Sequence, residues 1–370
     1  MPSRLRPIAR PEAESFARAA SLRYVHDDER GLRRRRRKGV FVYVDDEGRR
    51  AREPATIARI RSLAIPPAWT EVWICLSPDG HIQATGRDAR GRKQYRYHPQ
   101  WRVVRDEAKF EELTSFGWVL PGLRARIARD LARPTLDRDK VVATILALME
   151  QTSVRVGNDC YATQNRSFGL TTLRDRHAQV GRTCVTFAFT GKSGKVHRIS
   201  VRDRRLAAIV RRCRDLPGQR LFQFVDAEGV QHPVTSTDVN NYLQEATAAP
   251  FTAKMIRTWI GTVTAARALH ELPPCESERA GKRSVLACLE LVSEKLGNTP
   301  SIARKSYVHP RLFESYLDGS FHDAMKLALR RTSRRALDGL DLHERALLIF
   351  LAPTSTATLR RESGTTRVAA

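Results

Sequence analysis

The chain of 370 residues is 41% hydrophobic and 28% charged, the balance of an ordinary soluble protein long enough for at least two domains. Lys and Arg number 65 against 40 Asp and Glu, and a formal charge of +25 attracts polyanions, so nucleic acid is the favoured partner even if base composition inflates arginine over lysine. No stretch approaches the roughly 18 apolar residues of a membrane span, and six cysteines without a CxxC pair or a histidine at finger spacing support neither a zinc site nor a disulfide framework, as suits a reducing cytoplasm.

In chain order, the start MPSRLRPIAR has the arginines of a transit peptide, but Glu12, Glu14 and the missing apolar region argue against an export signal. Residues 1–20 are expected as a flexible arm. GLRRRRRKG followed by VFVYV and DDEG predicts a strand and turn, and VWICLSPDGHIQATG (Val72 to Gly86) predicts a hairpin. Residues 21–105 therefore read as a small antiparallel β-sheet domain. The run Arg33 to Arg37 would repel itself as a free helix and is expected as a flexible polyanion-binding arm rather than part of a core.

From about Asp106 the period changes. EAKFEELTSF, PGLRARIARDLARP and DKVVATILALMEQ place apolar residues three and four apart, which predicts helices and a domain boundary near residue 105. Within the helical domain, 106–350, TCVTFAFTGKSGKVHRISV (Thr183 to Val201) alternates around Gly191 to Gly194 and predicts a β-hairpin with Lys192 at its tip. Helices resume over RDRRLAAIVRRCRDL, STDVNNYLQEAT capped by Ser236 or Thr237, AKMIRTWIGTVTAARALHEL, and KRSVLACLELVSEKLG ended by Gly297. Residues 351–370, mostly Thr, Ser and Arg, are expected as a disordered tail. The fold class is α+β: a small antiparallel sheet domain followed by a mostly helical one that contains a hairpin.

A few residues in the helical domain fit one chemistry. A phosphodiester transition state gathers charge on its non-bridging oxygens, and without a bound cation the protein must offer fixed donors, of which guanidinium groups are the best. Tyr307, just beyond a helix start at Pro300, has Arg304, Lys305 and His309 as neighbours. A single tyrosine is most often a core residue, but nearby positive charge favours the phenolate and so a nucleophile. Arg155 follows the helix LALMEQTS, before a turn permitted by Gly157 and Asn158; most arginines here would merely snorkel on a helix surface. Arg257 shares a helix with the apolar Ile256, Ile260, Val263 and Ala266, so one side packs while the other can aim at a phosphate. Lys192 is either a solvated turn lysine or a mobile general acid. Tyr95 and Tyr97, with Arg92 and Lys93, form a basic-aromatic stretch; alternate residues of a strand face the same side, so the two tyrosines would present together, either packing a sheet or meeting DNA.

GRDARGRKQYRYHPQW, SVRVGNDCY, FTGKSGK, KMIRTW and LGNTPSIARKSYVHP occur in the order shown by the type IB DNA topoisomerases of the bacterial and poxvirus kind, and the chain resembles that family over most of residues 20 to 320. The resemblance implies a tyrosine recombinase-like catalytic domain, with Tyr307 as nucleophile, Arg155 and Arg257 on the scissile phosphate and Lys192 as general acid. It also implies that Tyr95, Tyr97, Arg92 and Lys93 face DNA. Asn298 stands where many relatives carry a histidine; an amide donates but is never cationic, so a contribution of about 1 to 2 kcal/mol is expected instead of about 1.5 to 3. The implied enzyme is a monomer clamping double-stranded DNA in the cytoplasm or nucleoid, without cofactor, metal or ATP. The chain has no GxxxxGK[ST]. Two rivals remain at this level. Tyrosine recombinases arrange similar residues but usually show HxxR where this chain has Lys254-Met-Ile-Arg257, and a non-enzymatic DNA-coating protein would not depend on Tyr307.

Overall fold

The computed structural model describes residues 11–332 and 338–352; of the tail expected over 351–370, Leu351 instead ends a helix and is buried, and the part from residue 353 lies outside the described residues. The chain divides into two compact units, residues 1–111 and 112–370, with the division inside one helix.

In the first unit, α1 (Pro11–Ala19) occupies the second half of the stretch expected as a flexible arm. Its Ala17 is buried with Ala20, Leu22 and Trp101, an apolar anchor that the charged beginning of the sequence conceals. The sheet has the order β2-β1-β3-β4-β5, with β1 (Gly31–Arg37), β2 (Val40–Val44), β3 (Thr70–Cys75), β4 (Ile82–Arg87) and β5 (Lys93–Tyr97), every neighbouring pair antiparallel. The expected arginine arm is corrected by this sheet: Arg33 to Arg37 are the strand β1. Successive side chains of a strand point to opposite faces, so adjacent guanidinium groups never share a side, and the self-repulsion that rules out a free helix is relieved. Arg34 lies over the Phe41 ring at 4.3 Å and donates to the carbonyls of Pro66 and Trp69 at 3.0 and 2.6 Å. Lys38 and Gly39 join β1 to β2 with φ of 47° and 82°, the two left-handed residues of a tight hairpin turn. Beneath one face, α2 (Pro54–Ser62) supplies Ile60 to a core with Leu32, Val72, Ile74 and Ala84.

His81 is only 3% exposed, stacks on Tyr24 at 4.2 Å, and accepts from the Val25 amide through Nδ1 at 3.0 Å. Burial pushes its imidazole down to about 4. The unfolded chain therefore binds more protons than the folded one between about 6.5 and 4, and stability is lost as pH falls through that window. Melts at pH 6.5 and 4.5, followed by tryptophan fluorescence, are expected to show a loss of about 2 kcal/mol for this unit. Equal stability at the two pH values would show that the imidazole is not held neutral.

In the second unit, the two helices expected over EAKFEELTSF and PGLRARIARDLARP are one, α3 (Pro99–Leu131), with Pro121 inside it. Its stripe Leu113, Phe116, Leu120, Leu123 and Ile127, at alternating spacings of three and four, is buried across the proline, and that continuous packing outweighs the single lost backbone bond. The central helices are α4 (Arg138–Thr152) and α8 (Ala253–Glu271), each buried over most of its circumference. Around them lie α5 (Asp159–Asn165), α6 (Arg204–Arg214), α7 (Ser236–Thr247), α9 (Glu278–Leu296), α10 (Pro300–Ser306), α11 (Pro310–Leu317), α12 (Phe321–Thr332) and α13 (Leu342–Leu351). The cap of α7 is Thr235 rather than Ser236 or Thr237, because its hydroxyl accepts from the Asp238 amide at 3.2 Å while the Asp238 carboxylate accepts from the Thr235 amide at 2.9 Å. The expected hairpin is β7 (Cys184–Thr190) and β8 (Val196–Arg202), joined at its edge by β6 (Ala178–Val180); β9 (Gln223–Val225) and β10 (Gln231–Pro233) form a second small ribbon.

Candidate active site

The C-terminal ends of α4 and α9, the middle of α8 and the corner after α10 converge on one pocket in the second unit. At the end of α4, Ser153 turns left-handed (φ 57°) and its amide caps Met149 O at 2.8 Å, which releases the chain into Arg155. The Arg155 and Val156 carbonyls then accept from the amides of Leu170 and Thr171 at 2.9 and 2.7 Å, so the loop carrying the guanidinium is held like a short ladder. At the end of α9, Gly297 takes φ 63°, a left-handed turn that a residue with a Cβ adopts only at a cost, and the next residue is Asn298.

Tyr307 is the C-cap of α10, its amide bonded to Ala303 O at 2.9 Å. Its carbonyl docks on α8: it accepts from Thr262 Oγ1 at 3.3 Å, and at Gly261 the approach is so close that a methyl group would lie 2.6 Å from the Tyr307 oxygen. One turn earlier on α8 is Arg257. The sequence pattern expected this side chain on an open face, but it is 3% exposed, inserted beneath the tyrosine with its guanidinium carbon 5.1 Å from the ring centroid. It donates to Leu296 O at 2.8 Å and to Ser153 O, thereby joining the ends of α4 and α9. Arg155 donates to Asn298 Oδ1. That bond orients the amide with its NH₂ turned elsewhere, and Asn298 Nδ2 and Arg257 Nε are both buried without an acceptor.

The electrostatics follow. Burial alone would push the Tyr307 phenol up, but Arg257, then Arg155 and Lys192, bring it below the ordinary tyrosine value. Burial, then the Arg155 charge, lowers Arg257 to about 10, which leaves it cationic at neutral pH. Lys192 is exposed at the hairpin tip, in a turn where Ser193 and Gly194 have φ of 64° and 78°. The structure thus gathers Arg155, Arg257, Asn298 and Tyr307 in direct contact or adjacency, with Lys192 close enough for its charge to act on the phenol.

A family model described as the catalytic core of eukaryotic DNA topoisomerase I matches residues 98–329, and one described as the N-terminal domain of bacterial DNA topoisomerase IB matches residues 40–88. The DNA topoisomerase 1B of Acanthamoeba polyphaga mimivirus is 31% identical over 294 residues, 77% of this chain and 87% of the viral one. The chain belongs to the type IB DNA topoisomerases. The DNA topoisomerase 1B of Vaccinia virus (strain Copenhagen) is more distant, 22% identical over 251 residues, 65% of this chain and 74% of its own.

All five pocket residues of this topoisomerase fall within the matched catalytic core, whereas Arg92, Lys93, Tyr95 and Tyr97 lie between the two matched stretches. In the first unit the Tyr95 and Tyr97 rings are stacked, centroids 5.7 Å apart at 9°, and Tyr95 is 40% exposed. Arg92 is held in its loop by Asp88, with Nε to Oδ2 at 2.7 Å, and Lys93 pairs with Asp27 at 2.6 Å. Sequence reasoning missed two supports of the pocket. One is His197 on β8, whose ring abuts Gly191 and Gly297. The other is Glu344, which accepts both guanidinium nitrogens of Arg124 at 2.8 Å and Trp259 Nε1 at 3.0 Å, fixing α8 from behind. Only the capping pattern Asp341 to Glu344 marks that residue in the sequence.

Proposed function

We propose that this topoisomerase relaxes supercoiled duplex DNA through a transient break made by Tyr307, without nucleotide or metal. The phenol oxygen attacks the phosphorus and gives up its proton. The bond to the 5′ oxygen breaks as Lys192 supplies a proton to that leaving group, and a 3′-phosphotyrosyl bond remains. The free 5′-hydroxyl end swivels under torque, and the reverse reaction reseals the strand. Arg155, Arg257 and Asn298 stabilise the non-bridging oxygens. Because one phosphate ester is exchanged for another of similar energy, resealing needs no nucleotide.

The observation that carries this reading is the pair of buried donors, Asn298 Nδ2 and Arg257 Nε, left without acceptors beside a tyrosine whose phenol three cations hold down. A phosphate oxygen is the acceptor such donors fit. The same reading has a single copy of the chain clamp the duplex, with Lys93, Tyr95 and Tyr97 meeting DNA, where duplex DNA is found in the cytoplasm or nucleoid. Lys93 must exchange Asp27 for a phosphate to do so.

A supercoiled plasmid incubated with the protein in EDTA and without nucleotide is expected to relax, and denaturant quenching is expected to trap an adduct on the peptide bearing Tyr307. Relaxation should weaken steeply with salt, as phosphate-dominated binding does. A strict requirement for a divalent cation, or an adduct mapped to another residue, would overturn the reading.

A further inference from the structure

His197 lies at the join between the Lys192 hairpin and the Asn298 corner. On β8 it stands opposite Phe189 of β7, the two rings stacked with centroids 5.0 Å apart at 17°. Its imidazole fills a slot bounded by two glycines from different elements. A methyl group at Gly191, the residue before Lys192, would stand 2.6 Å from Nε2, and one at Gly297, the residue before Asn298, would stand 3.1 Å from Cε1. The ring thus spans from the base of the hairpin tip to the turn that presents Asn298. Gly191 N donates to Lys195 O at 2.7 Å and closes the tip above it. Lys192 itself is exposed, and no hydrogen bond or ion pair among the described residues fixes its ammonium group. What sets its position is the seat of the hairpin.

We propose that His197 is a positioning residue: its ring seats the hairpin against the α9–α10 corner and so places Lys192 over the departing 5′ oxygen. This rests on the assignment of Lys192 as general acid made above. The ring acts by shape and stacking, which a phenyl group reproduces and a methyl group does not. A displacement of about an ångström at a reacting group costs on the order of a hundredfold in rate.

The test uses the full chain and a duplex with one mapped cleavage site, made with either the ordinary 5′-bridging oxygen or a 5′-bridging sulfur. When the phosphorus–sulfur bond breaks, the thiolate leaves without a proton, so a general acid is not needed. His197→Ala is expected to slow single-turnover cleavage of the oxygen substrate by about a hundredfold and to cleave the sulfur substrate at close to the wild-type rate. Lys192→Ala should show the same pattern with a larger loss, and His197→Phe should restore the oxygen rate. If Lys192→Ala is rescued by sulfur but His197→Ala is slowed equally on both substrates, the positioning role is wrong. The same follows if His197→Ala cleaves the oxygen substrate normally or if His197→Phe is as slow as His197→Ala. If sulfur fails to rescue Lys192→Ala, the general-acid assignment falls, and this inference with it.

Discussion

Tyr307→Phe is expected to give a folded protein that still binds duplex DNA but neither forms the covalent adduct nor relaxes a plasmid. The contacts that hold this residue come mostly from its backbone and ring face: the amide to Ala303 O, the carbonyl from Thr262 Oγ1, the close approach at Gly261, and the guanidinium of Arg257 over the ring, to which the phenol adds one hydrogen bond with Arg257. Phenylalanine keeps all but the phenol's bond to Arg257, so the change in stability should stay within about 2 kcal/mol. The cations that attract phosphate are untouched as well. In the proposed mechanism, however, the hydroxyl oxygen forms the new bond, and removing a nucleophile costs on the order of 10⁴-fold or more. The measurements are plasmid relaxation, adduct trapping and a filter-binding isotherm made on the same preparation. Retained relaxation would return the DNA-coating or another-nucleophile alternatives to the front. Lost binding would mean that the phenol contributes to the ground state more than to the reaction.

Much of the fold was legible because local signals and tertiary packing agree. The alternation of Thr183 to Val201 about a glycine-containing tip became β7 and β8, and Gly297 ended α9 as its position after an apolar repeat implied. Where the two levels disagree, the sequence misled. Five consecutive arginines look like a solvated arm until the strand separates their charges onto two faces and Phe41 and the carbonyls of Pro66 and Trp69 take up Arg34. Pro121 looks like a break until the buried stripe of α3 carries the helix across it. The residue types of the pocket were legible, since the proposed chemistry on a phosphate calls for cations and hydrogen-bond donors. The pocket's geometry was not. The bond from Arg155 to Asn298 joins residues 143 positions apart, and no periodicity encodes it. Nor does any local pattern show that Arg257 is buried, because a helix position between apolar neighbours reads equally well as a solvent-facing one.

That burial makes Arg257 the second large expected effect. The guanidinium is pushed down to about 10 by burial and by the Arg155 charge, well below its ordinary value. A base whose folded value lies below its unfolded one destabilises the fold wherever it stays protonated. At neutral pH, holding this charge costs about 3 kcal/mol, a cost relieved only as pH rises above about 10. Its bonds to the Ser153 and Leu296 carbonyls offset part of that. Arg257→Met removes the cost and strands the two carbonyls at about 1 to 3 kcal/mol each, so the net change in stability is expected within about 3 kcal/mol. Activity should nevertheless fall by about 10³-fold, since a fixed donor to the charged oxygens is gone. The Tyr307 phenol also loses the first of its lowering cations, so the rising limb of rate against pH should move to higher pH. Arg257→Lys keeps the charge and therefore the limb, but one ammonium cannot satisfy two carbonyls and a phosphate from a fixed fork, and about 10² of the rate is expected to go. Denaturant melts and single-turnover rates from pH 6 to 10 separate the two contributions. A large loss of stability in Arg257→Met, with the remaining activity tracking the folded fraction and the limb unmoved, would make Arg257 a strut of the pocket rather than part of its chemistry.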